Sequence, residues 1–187
     1  RNPSWGYDTD KPWNGPQSAR LEASKSGPGI LSQGALSVRK GMTYGFSGYF
    51  RSEGRSLGLA VSIKALLPDG TWTVLAKAGL KTPGKEWTRL AASFVSSGTT
   101  DRAVLEIRAT GDGRIWADKL SLMPSDAVGG WRRDAVEAVR ALRPGIIRFG
   151  GSVVDEPSYG DFDWKFTIGD PDRRRPFRAW GGLQPTG

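Results

Sequence analysis

The sequence contains no cysteine and no histidine. Without cysteine there is no disulfide and no thiolate chemistry, an absence compatible with either side of a membrane. Without histidine the chain holds no Ser-His-Asp triad and no imidazole ligand for a metal ion. No Asp/Asn cluster has the rhythm of a calcium loop, so no metal and no cofactor are expected. Apolar runs fall well short of the roughly 20 residues that a spanning helix needs, and no membrane partner is expected. A signal peptide is absent, but the first residue need not be the natural start. The compartment is left open, with an extracellular or periplasmic setting compatible.

What is present is an ordinary globular composition: 187 residues, 37% hydrophobic and 25% charged. The net charge is +8 and the isoelectric point near 10.0, yet the charges are scattered. Arg173-Arg174-Arg175 is the one true run, read as a solvated loop or a surface that docks on further protein. No basic helix face is interleaved with stacking aromatics, and nucleic acid is not expected as a partner. Eight tryptophans are many for this length. Large aromatics fill β-rich cores and also stack on sugar rings. Trp72 and Trp87, with Trp5 and Trp13, are candidates for a sugar-stacking surface, whereas alternation puts Trp116 in the core.

Residues 1–125 carry strand signals. Tyr44, Phe46, Gly48 and Phe50 alternate with Thr43, Gly45, Ser47 and Tyr49, the period of a half-buried strand. Leu57, Leu59, Val61 and Ile63 repeat it. Pro68-Asp69-Gly70 then predicts a turn, and Trp72 to Leu75 the returning arm of a hairpin. Further strands are predicted near Ala19–Ala23, Trp87–Val95, Ala103–Ala109 and Ile115–Met123, the last with Trp116, Leu120 and Leu122 on one face. Short strands separated by Gly, Pro, Asp and Ser predict a mainly β fold, a jelly-roll sandwich.

The pattern changes near Pro124. Asp126 is a candidate N-cap. From Trp131, the positions Ala135, Val136, Val139 and Leu142 recur at helical spacing, and Pro144-Gly145 stops the helix. Ile146-Ile147-Arg148-Phe149 reads as a short buried parallel strand, and Gly150-Gly151-Ser152 ends it. Residues 126–187 are therefore expected to form a partial α/β segment of TIM-barrel type: helix, buried strand, active-site-side loop. One such unit cannot cover both faces of its own strand, so it needs neighbours.

Between Gly130 and Gly182 a series of words follows in order. Trp131-Arg132-Arg133-Asp134 opens the helix and Leu142-Arg143-Pro144 closes it. Ile147-Arg148-Phe149-Gly150-Gly151, Phe162-Asp163-Trp164-Lys165, Ile168-Gly169-Asp170, Arg175-Pro176 and Trp180-Gly181 come next. This stretch resembles glycoside hydrolase family 51, the α-L-arabinofuranosidases, particularly plant and bacterial members with a carbohydrate-binding-module-like sandwich. The segment from Ala19 to Pro124, including Gly41-Met42-Thr43-Tyr44 and Asp118-Lys119-Leu120-Ser121-Leu122, is similar to that sandwich in a less specific way.

The resemblance implies a retaining hydrolase that releases terminal α-L-arabinofuranosyl residues from arabinose-containing polysaccharides or oligosaccharides. Retention uses two carboxyl groups roughly 5 Å apart. In the family both are glutamates on later barrel strands, so no catalytic residue is expected in this chain, and the rest of the barrel is its expected partner. The family pattern Arg-Phe-Pro-Gly-Gly is followed by Asn or Cys near the sugar. Here Gly150-Gly151-Ser152-Val153 follows Arg148-Phe149, and either Ser152 or Val153 takes the contact position. Only the hydroxyl can hydrogen-bond a sugar. Gly151, Ser152, Val153, Trp164 and Trp180 are the candidate substrate-binding residues. Asp155 and Glu156, adjacent acids before Pro157, read as surface or supporting carboxylates. Arg148 reads as half of an ion pair with a barrel carboxylate, and Asp163 and Asp170 as turn caps. The alternative function is a non-catalytic carbohydrate-binding sandwich module.

Overall fold

The computed structural model describes residues 4–147, 164–174, 176–179 and 182–184. Seven antiparallel strands form one hydrogen-bonded network: β1 (Trp5–Asp8), β2 (Ser18–Ala23), β3 (Gly29–Val38), β4 (Thr43–Leu66), β5 (Trp72–Leu80), β6 (Thr88–Val95) and β7 (Thr100–Pro124). Two of them, β4 with 24 residues and β7 with 25, are far longer than the sequence pattern predicts. Each replaces two predicted strands. Their first and second halves lie in different layers. One layer runs β1-β2-β7-β4-β6, through the start of β4 and the end of β7. The other runs β3-β7-β4-β5, through the remaining halves.

Glycine makes this bend possible. Gly54 pairs with Gly113 where the two long strands pass between layers, with φ of +142° and +151°. A Cβ on Gly54 would lie 2.3 Å from the Asp112 carbonyl oxygen, and one on Gly113 would lie 2.2 Å from that of Glu53. The two backbones touch there, and only glycine fits.

The layers close over an apolar core. Leu21, Phe46, Phe50 and Ile115 face inward from the first layer, and Val61, Ile63, Leu105 and Ile107 from the second. Truncating one of the phenylalanines to alanine costs about 3–5 kcal/mol in a packed interior. The predicted alternations over 44–50 and 57–63 are thus the inner faces of β4. The predicted turn also forms: Gly70 adopts φ +83°, and the Asp69 carboxylate accepts from the Thr71 amide at 2.9 Å.

Trp116 corrects the expected pattern. It is buried but faces away from the core shared by Ile115 and Ala117. A bulge between Ser47/Ser121 and Tyr49/Asp118 inserts one residue, and Lys119 takes φ +47° there. The extra residue reverses the parity of β7, so Leu122 packs on the core while Trp116 lies on the outer face.

After β7 come α1 (Arg133–Ala141), two 3-10 turns (Trp164–Thr167 and Pro171–Arg173), and a hairpin of β8 (Phe177–Ala179) and β9 (Gly182–Gln184). The expected N-cap at Asp126 is not formed. Arg132 occupies that position without a side-chain cap, and Asp126 instead pairs with Arg39 at 3.1 Å and Arg133 at 3.8 Å. No TIM-barrel α/β layer is formed among the described residues. No side chain of α1 is buried, and Ile146 and Ile147, expected in a buried strand, are 89% and 74% exposed. Nothing in the described chain lies beside them to pair with. Arg148, Phe149, Asp155, Glu156 and Asp163 lie outside the described residues.

Candidate functional site

The outer face of the first layer gathers an unusual set of side chains for an exposed sheet. Arg20, Trp116 and Arg51 stand in one row across β2, β7 and β4, and Tyr49 is opposite Asp118 and Arg89 in the next. The segment between β1 and β2 folds over them. Arg51 is buried, its guanidinium carbon 4.0 Å above the Trp116 ring and 5.5 Å from that of Trp87. Its Nη2 donates to the Asp10 carbonyl at 2.7 Å. Two aromatic faces and a carbonyl replace the water the cation loses.

Trp13 stacks on Tyr49 with centroids 4.1 Å apart and planes inclined by 10°. Its neighbour Asn14 is fixed by its amide, which donates to the Asp118 carboxylate at 3.1 Å. The Asn14 side chain then reaches the last described turn, with Nδ2 donating to the carbonyls of Asp172 at 3.1 Å and Arg174 at 2.8 Å. Tyr49 donates its hydroxyl to the Asp172 carboxylate at 3.1 Å. Arg173 sits 5.8 Å from the Trp13 ring, and Lys119 reaches the Pro171 carbonyl at 3.3 Å. Asp170 caps that turn by accepting from the Asp172 amide at 3.0 Å, as its position in the sequence predicts.

Ionisation follows the packing. Burial pushes the Tyr49 phenol up, and the Asp172 carboxylate adds to it, so Tyr49 stays a neutral donor. Burial also pushes the Asp118 carboxyl up, against the amide bonds from Asn14, Lys119 and Trp13. Asp8 goes the other way: bonds from the Asp10 amide and the Trp116 indole hold its carboxyl low, with Arg20 beside it. Most polar groups of this face are engaged by its own chain, although the Nε atoms of Arg20 and Arg51 are buried without a hydrogen-bond partner, and the rings of Trp13, Tyr49 and Trp87 are half-buried.

The predicted sugar-stacking residues separate accordingly. Trp72 is 56% exposed on the β4–β5 hairpin. Trp87 is half-buried against Arg51, and its indole donates to the Lys11 carbonyl at 2.8 Å. Trp13 is enclosed as described, and Trp5 lines a separate cleft with Tyr7. The backbone of Trp164 opens a 3-10 turn. Gly151, Ser152, Val153 and Trp180 lie outside the described residues. Asn14, Tyr49, Arg51 and Tyr7 escaped the sequence reading. The alternation Trp5-Gly6-Tyr7-Asp8 was a short strand signal that could have found Tyr7. No local signal marks the others, because their partners are distant in sequence. Among the described residues no group of three or more acidic, histidine or cysteine side chains could hold a metal ion, and no helix is long and apolar enough to cross a membrane.

The fold is a two-layer antiparallel β-sandwich. Residues 6–116 match the carbohydrate binding domain family CBM_4_9, and the chain belongs to that family. It is also similar to part of larger glycosidases. Alpha-L-arabinofuranosidase 2 of Arabidopsis thaliana is 30% identical over 162 residues, covering 82% of this chain and 22% of that protein. The extracellular exo-alpha-L-arabinofuranosidase of Streptomyces chartreusis is 28% identical over 170 residues, covering 81% and 20%. An arabinose-bound α-L-arabinofuranosidase, MgGH51, superposes with a TM-score of 0.76 at 18% identity, over 98% of this chain and 34% of that structure. The resemblance to family 51 arabinofuranosidases therefore holds over most of the chain. The chain spans about a fifth of the length of the curated relatives it matches.

Proposed function

We propose that this chain is part of a retaining glycoside hydrolase that releases terminal α-L-arabinofuranosyl residues from arabinose-containing polysaccharides, its catalytic glutamates lying outside these residues. Residues 1–125 serve as a brace, and residues 126–187 belong to the catalytic barrel. The observation that carries this reading is the closure of the outer sheet face by the Pro171–Arg174 segment. Asn14, Tyr49 and Lys119 all spend their hydrogen bonds on it. A sandwich used as a free binding module would keep aromatic faces open; this one uses them to hold the following segment. Exposed Trp131, Leu142, Ile146 and Ile147 support it too, since such apolar surface needs a covering.

The test is hydrolysis of p-nitrophenyl α-L-arabinofuranoside. The 187-residue chain should release nothing. A longer polypeptide carrying both natural flanks should release arabinose with retention of the anomer, followed by NMR. Turnover by the short chain, or none by the long one, overturns the reading. The second reading, a carbohydrate-binding module, is favoured by a different feature, the cleft beside Trp5 and Tyr7.

A further inference from the structure

The chain has two asparagines, and they differ in the residue that follows. Asn2 precedes Pro3, whose ring nitrogen carries no hydrogen. Asn14 precedes Gly15, which is exposed. An asparagine side chain is open to attack by the backbone nitrogen of the next residue, and glycine, with no Cβ, hinders that approach least. Of the two, Asn14 alone has a neighbour that can close a succinimide ring on it.

Asn14 also ties the sandwich to the segment after α1. Its Nδ2 donates to the carbonyls of Asp172 at 3.1 Å and Arg174 at 2.8 Å, while its amide donates to the Asp118 carboxylate at 3.1 Å. Nδ2 is the atom that ring closure expels. The reaction must therefore break both of its hydrogen bonds as well as the covalent one.

We propose that Asn14 is a covalent modification site, a deamidation that the closed segment restrains and that, once complete, keeps the segment from closing again. The Gly15 nitrogen attacks Cγ and gives up its proton, a C–N bond forms, the Cγ–Nδ2 bond breaks, and Nδ2 leaves as ammonia. Water then opens the ring at either carbonyl, leaving aspartate or isoaspartate, with nothing oxidised or reduced. The product has no donor where Nδ2 stood. Its carboxylate, ionised at neutral pH, faces two carbonyl oxygens, with the carboxylates of Asp118 and Asp172 beside them. The nearby cations are already engaged: Lys119 with the Pro171 and Arg174 carbonyls, Arg89 with Asp172 at 3.6 Å, and Arg173 with Asp170 at 3.8 Å. Acceptor then meets acceptor, and the contact is lost. Isoaspartate also lengthens the backbone where a Cβ on Gly15 would already come within 3.1 Å of Pro176. The inference goes beyond the proposed function and involves no catalysis, so turnover assays decide the hydrolase reading separately.

The 187-residue chain, aged in mildly alkaline buffer and mapped by mass spectrometry, tests it. Deamidation is expected at Asn14 and not at Asn2. It should run roughly tenfold slower than in the same chain unfolded in urea, the factor that about 1.4 kcal/mol of restraint gives. Tyr49→Phe combined with Asp172→Asn should speed it by roughly fivefold, the factor given by one hydrogen bond of about 1 kcal/mol. Asn14→Asp supplies one product directly. Tryptic cleavage after Arg174, whose carbonyl Asn14 holds, should then rise by roughly tenfold, since cleavage follows the open population. Thermal melts show whether the variant folds, and the deamidated wild-type fraction, separated by ion exchange, gives the same readout if it does not. An Asn14 that stays intact in the folded chain, or reacts equally fast folded and unfolded, overturns the inference. So does a rate indifferent to the double variant, or cleavage after Arg174 that deamidation leaves unchanged.

Discussion

The hydroxyl of Tyr49 donates to the carboxylate of Asp172 across 3.1 Å, joining positions 123 residues apart. Tyr49 stands on β4 in the first layer, between β7 and β6, while Asp172 lies in a turn of three residues. The sandwich and the segment after α1 are therefore tied through side chains rather than through a shared sheet. Replacing Tyr49 by Phe keeps the stacking on Trp13 and removes only the hydroxyl. The expected loss is about 0.5–1.5 kcal/mol of unfolding free energy, read by urea denaturation. In the double variant with Asp172→Asn the two losses should fall short of their sum. Strict additivity would mean that the pair contributes nothing jointly.

A methyl group at Gly113 should be far more damaging than its size suggests. The position combines φ +151° with a backbone contact of 2.2 Å to any Cβ, and the facing residue, Gly54, is equally confined. Gly113→Ala is expected to cost upwards of about 3 kcal/mol, more than unfavourable φ alone. Gly70→Ala, in an open turn with nothing within 4 Å, should cost much less. Comparable melting temperatures for the two variants would refute the account of the layer crossing.

Acid should weaken the fold partly through Asp8. Its carboxyl is held below the ordinary value of 3.8 by the Asp10 amide and the Trp116 indole. A lowered native pKa gives stability that is complete above 3.8 and lost as pH falls from there through the native value. Asp8→Asn should therefore flatten the acid side of the stability profile. Asp118 has the opposite sign, because burial raises its carboxyl and protonation favours the native state. Asp118→Asn should steepen the same limb. Denaturant titrations across the acid range give both slopes, and parallel profiles in wild type and variants would contradict the assignment.

The apolar residues beyond β7 offer a measurement of what they cover. Trp131, Leu142, Ile146 and Ile147 are all exposed. The 187-residue chain is expected to bind a hydrophobic dye at pH 7, and the longer polypeptide should bind markedly less. Substituting Ile146 and Ile147 by Ser should lower dye binding in the short chain without moving its melting temperature, since neither side chain contributes to the core. Equal fluorescence from short and long forms would show that these residues face solvent in both.

Period-two alternation was legible wherever one face of a strand is buried. Tyr44, Phe46 and Phe50, and Val61 and Ile63, lie inside as their spacing predicts. The strand β3 was missed because much of its middle is exposed and carries little apolar signal. The expected facing held at Leu122 and failed at Trp116, since a bulge at Lys119 shifts the parity between them and leaves no mark in hydrophobicity. The candidate site was legible only in part. Tryptophans were visible as candidates, but which of them face water depends on partners such as Arg51 and Lys11, chosen by the fold.

By itself the sequence determined the mainly β class, the inner faces of the long strands, the turn at Asp69-Gly70 and the likeness to arabinofuranosidases. These are local matters, set by side-chain period, glycine placement and word order. The tertiary structure alone decided that pairs of predicted strands are single bent ones, that Arg51 sits between two tryptophans, and that Asn14 and Tyr49 hold Asp172. Those outcomes depend on which backbones cross and which distant groups meet once water is excluded, and a hydrogen bond spanning 123 positions has no trace in the residues beside either end.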